Sequence, residues 1–158
     1  MTPVQQCDKW FSLLCRAKQQ RCIICGRPGG FHQESGLYIT GLVSHHLLEK
    51  STYPQFRFSR LNTVTVCFHS CHTGPGSAPG FIYAHMAPQV DKGTGEVTDN
   101  AFLRLLELEH HDHWQFYHDN LHNHQDQLRK FNYKCLARTF KAEFEELIAG
   151  DLGVYSQG

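Results

Sequence analysis

The chain has 158 residues, 41% of them hydrophobic and 19% charged, and its fifteen Lys and Arg are balanced by fifteen Asp and Glu. That composition suits one compact domain, or one domain with helical appendages, and excludes a disordered or collagen-like polymer. No apolar run approaches the roughly 18 residues that a bilayer span needs, so a membrane-embedded protein is excluded.

The first residues, from Met1 to Lys9, lack the basic start and apolar core of a secretory signal. This predicts a cytoplasmic chain with reduced thiols and no structural disulfides. Thr2 can N-cap a helix with Pro3 at its first position, and Val4, Cys7, Trp10, Phe11 and Leu14 form an apolar stripe to about Gln20. This N-terminal helix, residues 1–21, leads into Cys22-Ile23-Ile24-Cys25-Gly26. Residues 37–43 predict a strand interrupted at Gly41, with Ser44-His45-His46 where it ends. A polar, Pro-containing excursion covers residues 48–61. Alternation over Thr63-Val64-Thr65-Val66 predicts a second strand. Cys67-Phe68-His69-Ser70-Cys71-His72 follows, with Cys71 and His72 opening a short helix that Gly74-Pro75-Gly76 must end or deform.

Residues 74–95 are rich in Gly, Pro and Ser around an apolar patch at residues 81–86, which predicts an ordered loop or a short helix. Thr98 or Asp99 can cap a helix carrying Phe102, Leu105, Leu106, Trp114 and Tyr117. A further helical stretch carries Leu128, Phe131, Cys135, Leu136, Phe140, Phe144, Leu147 and Ile148, with Gly150 as its stop. These helices are expected to pack on each other as an extension over residues 98–150, leaving 151–158 as a flexible tail. Their apolar stripes would also suit a homodimer face. Cys7, Cys15 and Cys135 lie in helical patterns and read as small packed hydrophobes. His110, His111, His113, His118, His122 and His124 resemble a metal tract but lack a turn to gather ligands, so they read either as a solvent-exposed face or as metal or DNA contacts.

Cys22 and Cys25 have zinc-knuckle spacing, in which two thiolates on a tight turn share one metal and Gly26 allows a positive φ. Cys67 and Cys71 complete a tetrahedral four-thiolate site, because an i,i+4 pair at a helix start shares one face. The CxxxC spacing also leaves pairs of His69 with Cys67 or with Cys71 open.

A His pair, an Asn and a final His in this order, framed by two cysteine pairs, resemble the zinc-bearing HNH (His-Me finger) endonucleases. Arg57-Phe58-Ser59-Arg60-Leu61-Asn62 looks most like phage recombination proteins of the NinG/Rap type. The chain departs from them in having His45-His46 for Gly-His and a CxxxC second pair. The resemblance implies an α+β fold: a small treble-clef or ββα-metal zinc core over residues 22–90, with the N-terminal helix and the helical C-terminal extension attached. It also implies hydrolysis of DNA phosphodiester bonds, with branched or recombination-intermediate DNA as a candidate substrate, inside a bacterial host cell if the chain is phage-encoded.

In that scheme His46 is the general base, since a neutral imidazole can take a proton from water. His45 faces the other way and binds a catalytic Mg²⁺ or Mn²⁺ together with His72. Asn62 ties the loop to the helix by hydrogen bonds, fixing His46 rather than performing chemistry. The family's usual spacing from the Asn lands on Cys71; His72 is preferred because Cys71 is wanted by zinc and imidazole suits a catalytic metal. Arg57 and Arg60 read as phosphate contacts, or alternatively as a solvated face. Residues 1–75 carry eight Lys and Arg against three acids, giving +5, so the remainder carries −5 and the DNA surface is expected on the first half. The alternative reading is a treble-clef zinc module that binds nucleic acid or protein without cutting it.

Overall fold

The fold is described from a computed structural model that covers residues 1–72, 89–98, 101–123 and 130–156, with the side chains of 69–70, 89–90, 97–98, 101 and 151–156 excepted. Helix α1, Pro3–Gln19, starts at the expected cap. The Gln5 N–H donates to Thr2 Oγ1 and the Thr2 N–H donates to Gln5 Oε1, a reciprocal pair that satisfies two otherwise orphaned donors. Gln20 closes the helix with φ 51°. The adjoining side chains then moor this end to both nearby sheets, since Gln20 accepts from the Tyr38 N–H and Gln19 from the Thr65 N–H.

Strands β1, Gly30–His32, and β2, Leu37–Thr40, pair antiparallel. Only the second was legible as a strand. The expected interruption at Gly41 is real: its φ of 77° ends β2 and turns the chain into β3, Leu42–His46. β3 pairs antiparallel with β4, Thr63–Cys67, in a register that sets Leu42 against Cys67 and His46 against Thr63. β4 alternates in sequence yet is buried along its whole length, because α1 covers one face and a second core covers the other. After β4 a five-residue π-helical turn, Phe68–His72, folds back along the hairpin. The short strands β5, Gln89–Val90, and β6, Val97–Thr98, form a separate hairpin. The apolar patch at 81–86 lies outside the described residues.

The single helix expected from residue 99 onward is two: α2, Ala101–Glu109, and α3, His111–Asn120, broken at His110. The last helix, α4, Tyr133–Ser156, begins where the Cys135 N–H donates to Asn132 Oδ1. It runs through Gly150 and through most of the expected flexible tail. Glycine in a helix costs about 1 kcal/mol but stops it only when the backbone turns left-handed.

Two apolar cores divide these elements. One joins β3, β4 and the cysteine cluster to Phe102, Leu103 and Leu106 of α2 and Tyr117 of α3. The other joins Cys7, Phe11 and Leu14 of α1 and Leu37 and Ile39 of β2 to Ala137, Phe140 and Phe144 of α4. The helices after residue 98 therefore do not form one self-packed extension. The stripe of α4 that suited a dimer face lies on α1. Cys7 and Cys15 pack as expected, whereas Cys135 is exposed, lying off the stripe set by 137, 140 and 144. No helix among the described residues is long and apolar enough to cross a membrane.

Candidate metal centre and active-site cleft

Cys22, Cys25, Cys67 and Cys71 converge, with all four sulfur atoms within 4.8 Å of one another. The first pair sits on a tight turn: the Gly26 N–H donates to the Cys22 carbonyl at 2.9 Å, Gly26 has φ 74°, and the Cys25 N–H points at Cys22 Sγ at 3.5 Å. The second pair comes from the end of β4 and the π turn. Zn–S bonds of about 2.3 Å in a tetrahedron give S···S edges of about 3.8 Å. The Cys25 and Cys67 sulfurs are 3.8 Å apart. The cluster could thus hold a structural metal such as zinc. Burial pushes the Cys22 and Cys71 thiols above their ordinary range, a cost that a bound cation removes by stabilising the thiolates. The side chain of His69 lies outside the described residues.

At the opposite end of the β3–β4 hairpin an open cleft of about 780 Å³ is lined by His45, His46, His72 and Arg57, together with Asp8 and Ser12 of α1. The fold-back of the π turn brings the His72 ring to 5.7 Å from that of His45, centre to centre, at 66°. His45 is 4% exposed, and burial, then the charges of His72 and His46, lower its pKa to about 3. The Nδ1 atom of His72 is buried and makes no hydrogen bond among the described residues. Two neighbouring imidazoles, one of them buried and held neutral, could together offer ring nitrogens to a divalent cation.

His46 donates its Nε2–H to the Arg57 carbonyl at 2.8 Å. That bond fixes the tautomer and leaves Nδ1 with a lone pair. Burial also lowers the His46 pKa, opposed by the Arg57 carbonyl, which favours the charged ring.

The loop between β3 and β4 carries Arg57 and is closed by Asn62, which is fully buried. Its Oδ1 accepts from the Leu48 N–H at 2.8 Å, and its Nδ2 donates to the Leu48 carbonyl at 3.0 Å and the Phe56 carbonyl at 3.3 Å. Asn62 therefore joins the two ends of the loop rather than joining loop to helix. Replacing it with Ala strands these groups, and stability should fall by about 2–4 kcal/mol in denaturant titrations. A loss below about 0.5 kcal/mol would show that the loop closes without it.

Arg57 and Arg60 separate. The Arg57 guanidinium grips Asp8 through Nε–H to Oδ1 at 3.0 Å and Nη2–H to Oδ2 at 2.5 Å, and borders the cleft. Arg60 does not line the cleft; it pairs with Glu143 of α4.

The histidine-rich segment finds a use that its sequence did not suggest. His113 donates to the Leu61 carbonyl at 2.9 Å, the Tyr53 hydroxyl donates to the Leu121 carbonyl, and Gln55 Nε2 donates to the Asn123 carbonyl. His111 and His118 pack against Trp114. Helix α3 thus buttresses the loop from outside. Among the described residues the converging group of potential ligands is the cysteine one, and His124 lies outside them.

Asp8 was not legible as a site residue, because only the fold brings α1 to the cleft. Its one sequence signal was its place as the lone acid among the basic residues of the first helix. Comparison with family models, with curated proteins and with solved structures finds no match.

Proposed function

We propose that the chain is a metal-dependent DNA endonuclease of the HNH type, with a treble-clef zinc core supporting its cleft. The observation that carries this reading is that His46, its tautomer fixed by the Arg57 carbonyl, lines one cleft with the His45–His72 pair. A histidine used only for packing has no need of a committed Nε2–H, a spare lone pair and an open cleft beside two more imidazoles.

In this scheme Nδ1 of His46 takes a proton from water as its oxygen attacks phosphorus. The bond from phosphorus to the 3′ oxygen breaks, and that oxygen leaves with a proton from solvent, giving 5′-phosphate and 3′-hydroxyl ends. His45 and His72 would hold Mg²⁺ or Mn²⁺, which supplies charge neutralisation at the phosphoryl group. The four cysteines would hold Zn²⁺. By the same resemblance the substrate is branched or recombination-intermediate DNA and the setting is the cytoplasm of a bacterial host.

The test is a cleavage assay on linear, nicked, single-stranded and four-way DNA with Mg²⁺, Mn²⁺ or EDTA. Cutting that needs a divalent ion supports the proposal. Binding without cutting under every condition replaces it with the non-catalytic zinc module.

The separation of the two arginines gives a sharper expectation for DNA affinity. Arg57→Ala should lower the salt slope of binding by about one unit, whereas Arg60→Ala should leave it nearly unchanged. Equal effects of the two variants, measured as affinity across several salt concentrations, would put the DNA path along α4 as well.

A further inference from the structure

We propose that Asp8 is a positioning residue of the cleft: from α1 it anchors the Arg57 side chain and so holds the backbone carbonyl that orients His46. This rests on the reading of His46 as the general base. The chain of contacts is continuous. Both carboxylate oxygens of Asp8 take N–H groups of Arg57, and the Arg57 carbonyl takes the His46 Nε2–H.

The main chain on either side of Arg57 is held by Asn62 at the Phe56 carbonyl and by the packing of Phe58 on Phe11, which leaves Asp8 to fix Arg57 itself. It lies between two short 3-10 turns, Pro54–Phe56 and Arg60–Asn62, and its own N–H makes only a long 3.3 Å bond to Pro54. A paired fork between guanidinium and carboxylate fixes both distance and plane, which a single charge contact does not. Helix α1 also touches the other end of this arrangement. Phe11, one turn from Asp8, lies 6.3 Å from the His46 ring, centre to centre, and 5.7 Å from that of Phe58. One face of α1 therefore holds the ring through Phe11 and its hydrogen-bond acceptor through Asp8.

Asp8 occupies two of the five guanidinium N–H groups, so three remain for a phosphate. The carboxylate and a substrate phosphate therefore need not compete for Arg57.

The experiment compares Asp8→Ala, Asp8→Asn, Asp8→Glu and Arg57→Lys with the wild type, in the full chain with its metals. Misplacing a reacting group by about 1 Å costs on the order of 100-fold, so Asp8→Ala should lower kcat by about 10- to 100-fold. KM for DNA should change less than kcat, since the Arg57 charge stays in the cleft and a nearby negative charge is removed. Arg57→Lys keeps the charge and loses the fork, and combining it with Asp8→Ala should add little further loss. Asp8→Glu should recover part of the rate.

A readout independent of cleavage is nitrogen-15 NMR of the histidines. The wild type should show His46 as a single Nε2–H tautomer, and Asp8→Ala, or Asp8→Asn if the Ala variant does not fold, should show mixed tautomers. An unchanged tautomer with unchanged kcat overturns the proposal. So does faster cutting by Asp8→Ala, which would mean that the carboxylate blocks the phosphate. If the wild type cuts no DNA yet the tautomer responds to Asp8, the positioning role stands and the nuclease reading falls.

Discussion

Replacing Cys22 with Ser should abolish metal retention and unfold the β3–β4 core. Cys22 is buried among Leu42, Val64, Val66 and the α2 side chains, so its ligand sphere is part of the apolar core rather than an appendage to it. Structural zinc contributes about 10–16 kcal/mol of apparent binding free energy in small zinc modules. A whole domain is stable by only about 5–15 kcal/mol, so losing the site exceeds what the remaining contacts can offset. Metal analysis should give one zinc per wild-type chain and none per Cys22→Ser chain. Thermal melts should show the same collapse when the wild type is treated with a strong chelator. The pH dependence has a fixed sign. Metal binding requires thiolates, and burial raises the Cys22 and Cys71 pKa values, so acidification returns protons to sulfur and releases metal. A folded, metal-free Cys22→Ser variant would show that the four sulfurs converge for packing alone.

The parts of this molecule that were legible in the sequence are those set by neighbours along the chain. Thr2-Pro3 specifies a helix start whatever the rest does, and Gly41 breaks a strand because its conformation disfavours other residues. The cysteine pairs were legible because metal chemistry fixes ligand type and spacing. What remained hidden depends on distant pairing. Gly30-Phe31-His32 is too short to announce a strand and becomes one only against β2. The α4 stripe was visible, but nothing in it distinguished α1 from α2 as its partner. Asp8 and Arg57 are 49 positions apart, and their junction exists only because α1 lies across the hairpin. The histidine tract, read as an exposed face or as metal or DNA contacts, has exposed rings at His111 and His122 but a role at His113 that no local pattern announces. The fold uses His113 as a donor to the Leu61 carbonyl and packs His111 and His118 against Trp114.

On the proposed nuclease reading, replacing His46 with Ala should reduce cleavage by about 10²- to 10⁴-fold, the usual cost of losing a general base. DNA affinity and zinc content should stay close to wild type, since His46 is neither a thiolate nor a cation. Its pH dependence follows from its surroundings. The ring acts as a base only when Nδ1 is free, and burial lowers its pKa below the ordinary ~6.5, so it is neutral at pH 7. The rate should therefore hold through neutral pH and fall only on acidification below the ordinary imidazole range, as the proton occupies Nδ1. Acid unfolding sets in nearby and has the same sign. His45 in the folded chain takes a proton only at about 3, while the unfolded chain takes it at ~6.5. Between those values the unfolded state binds more protons, so stability declines as pH drops. Melting curves at each pH separate the two effects: the acid limb of the rate must appear while the protein is still folded. Wild-type cutting by His46→Ala, or an acid limb that merely tracks unfolding, would remove His46 from the role of base.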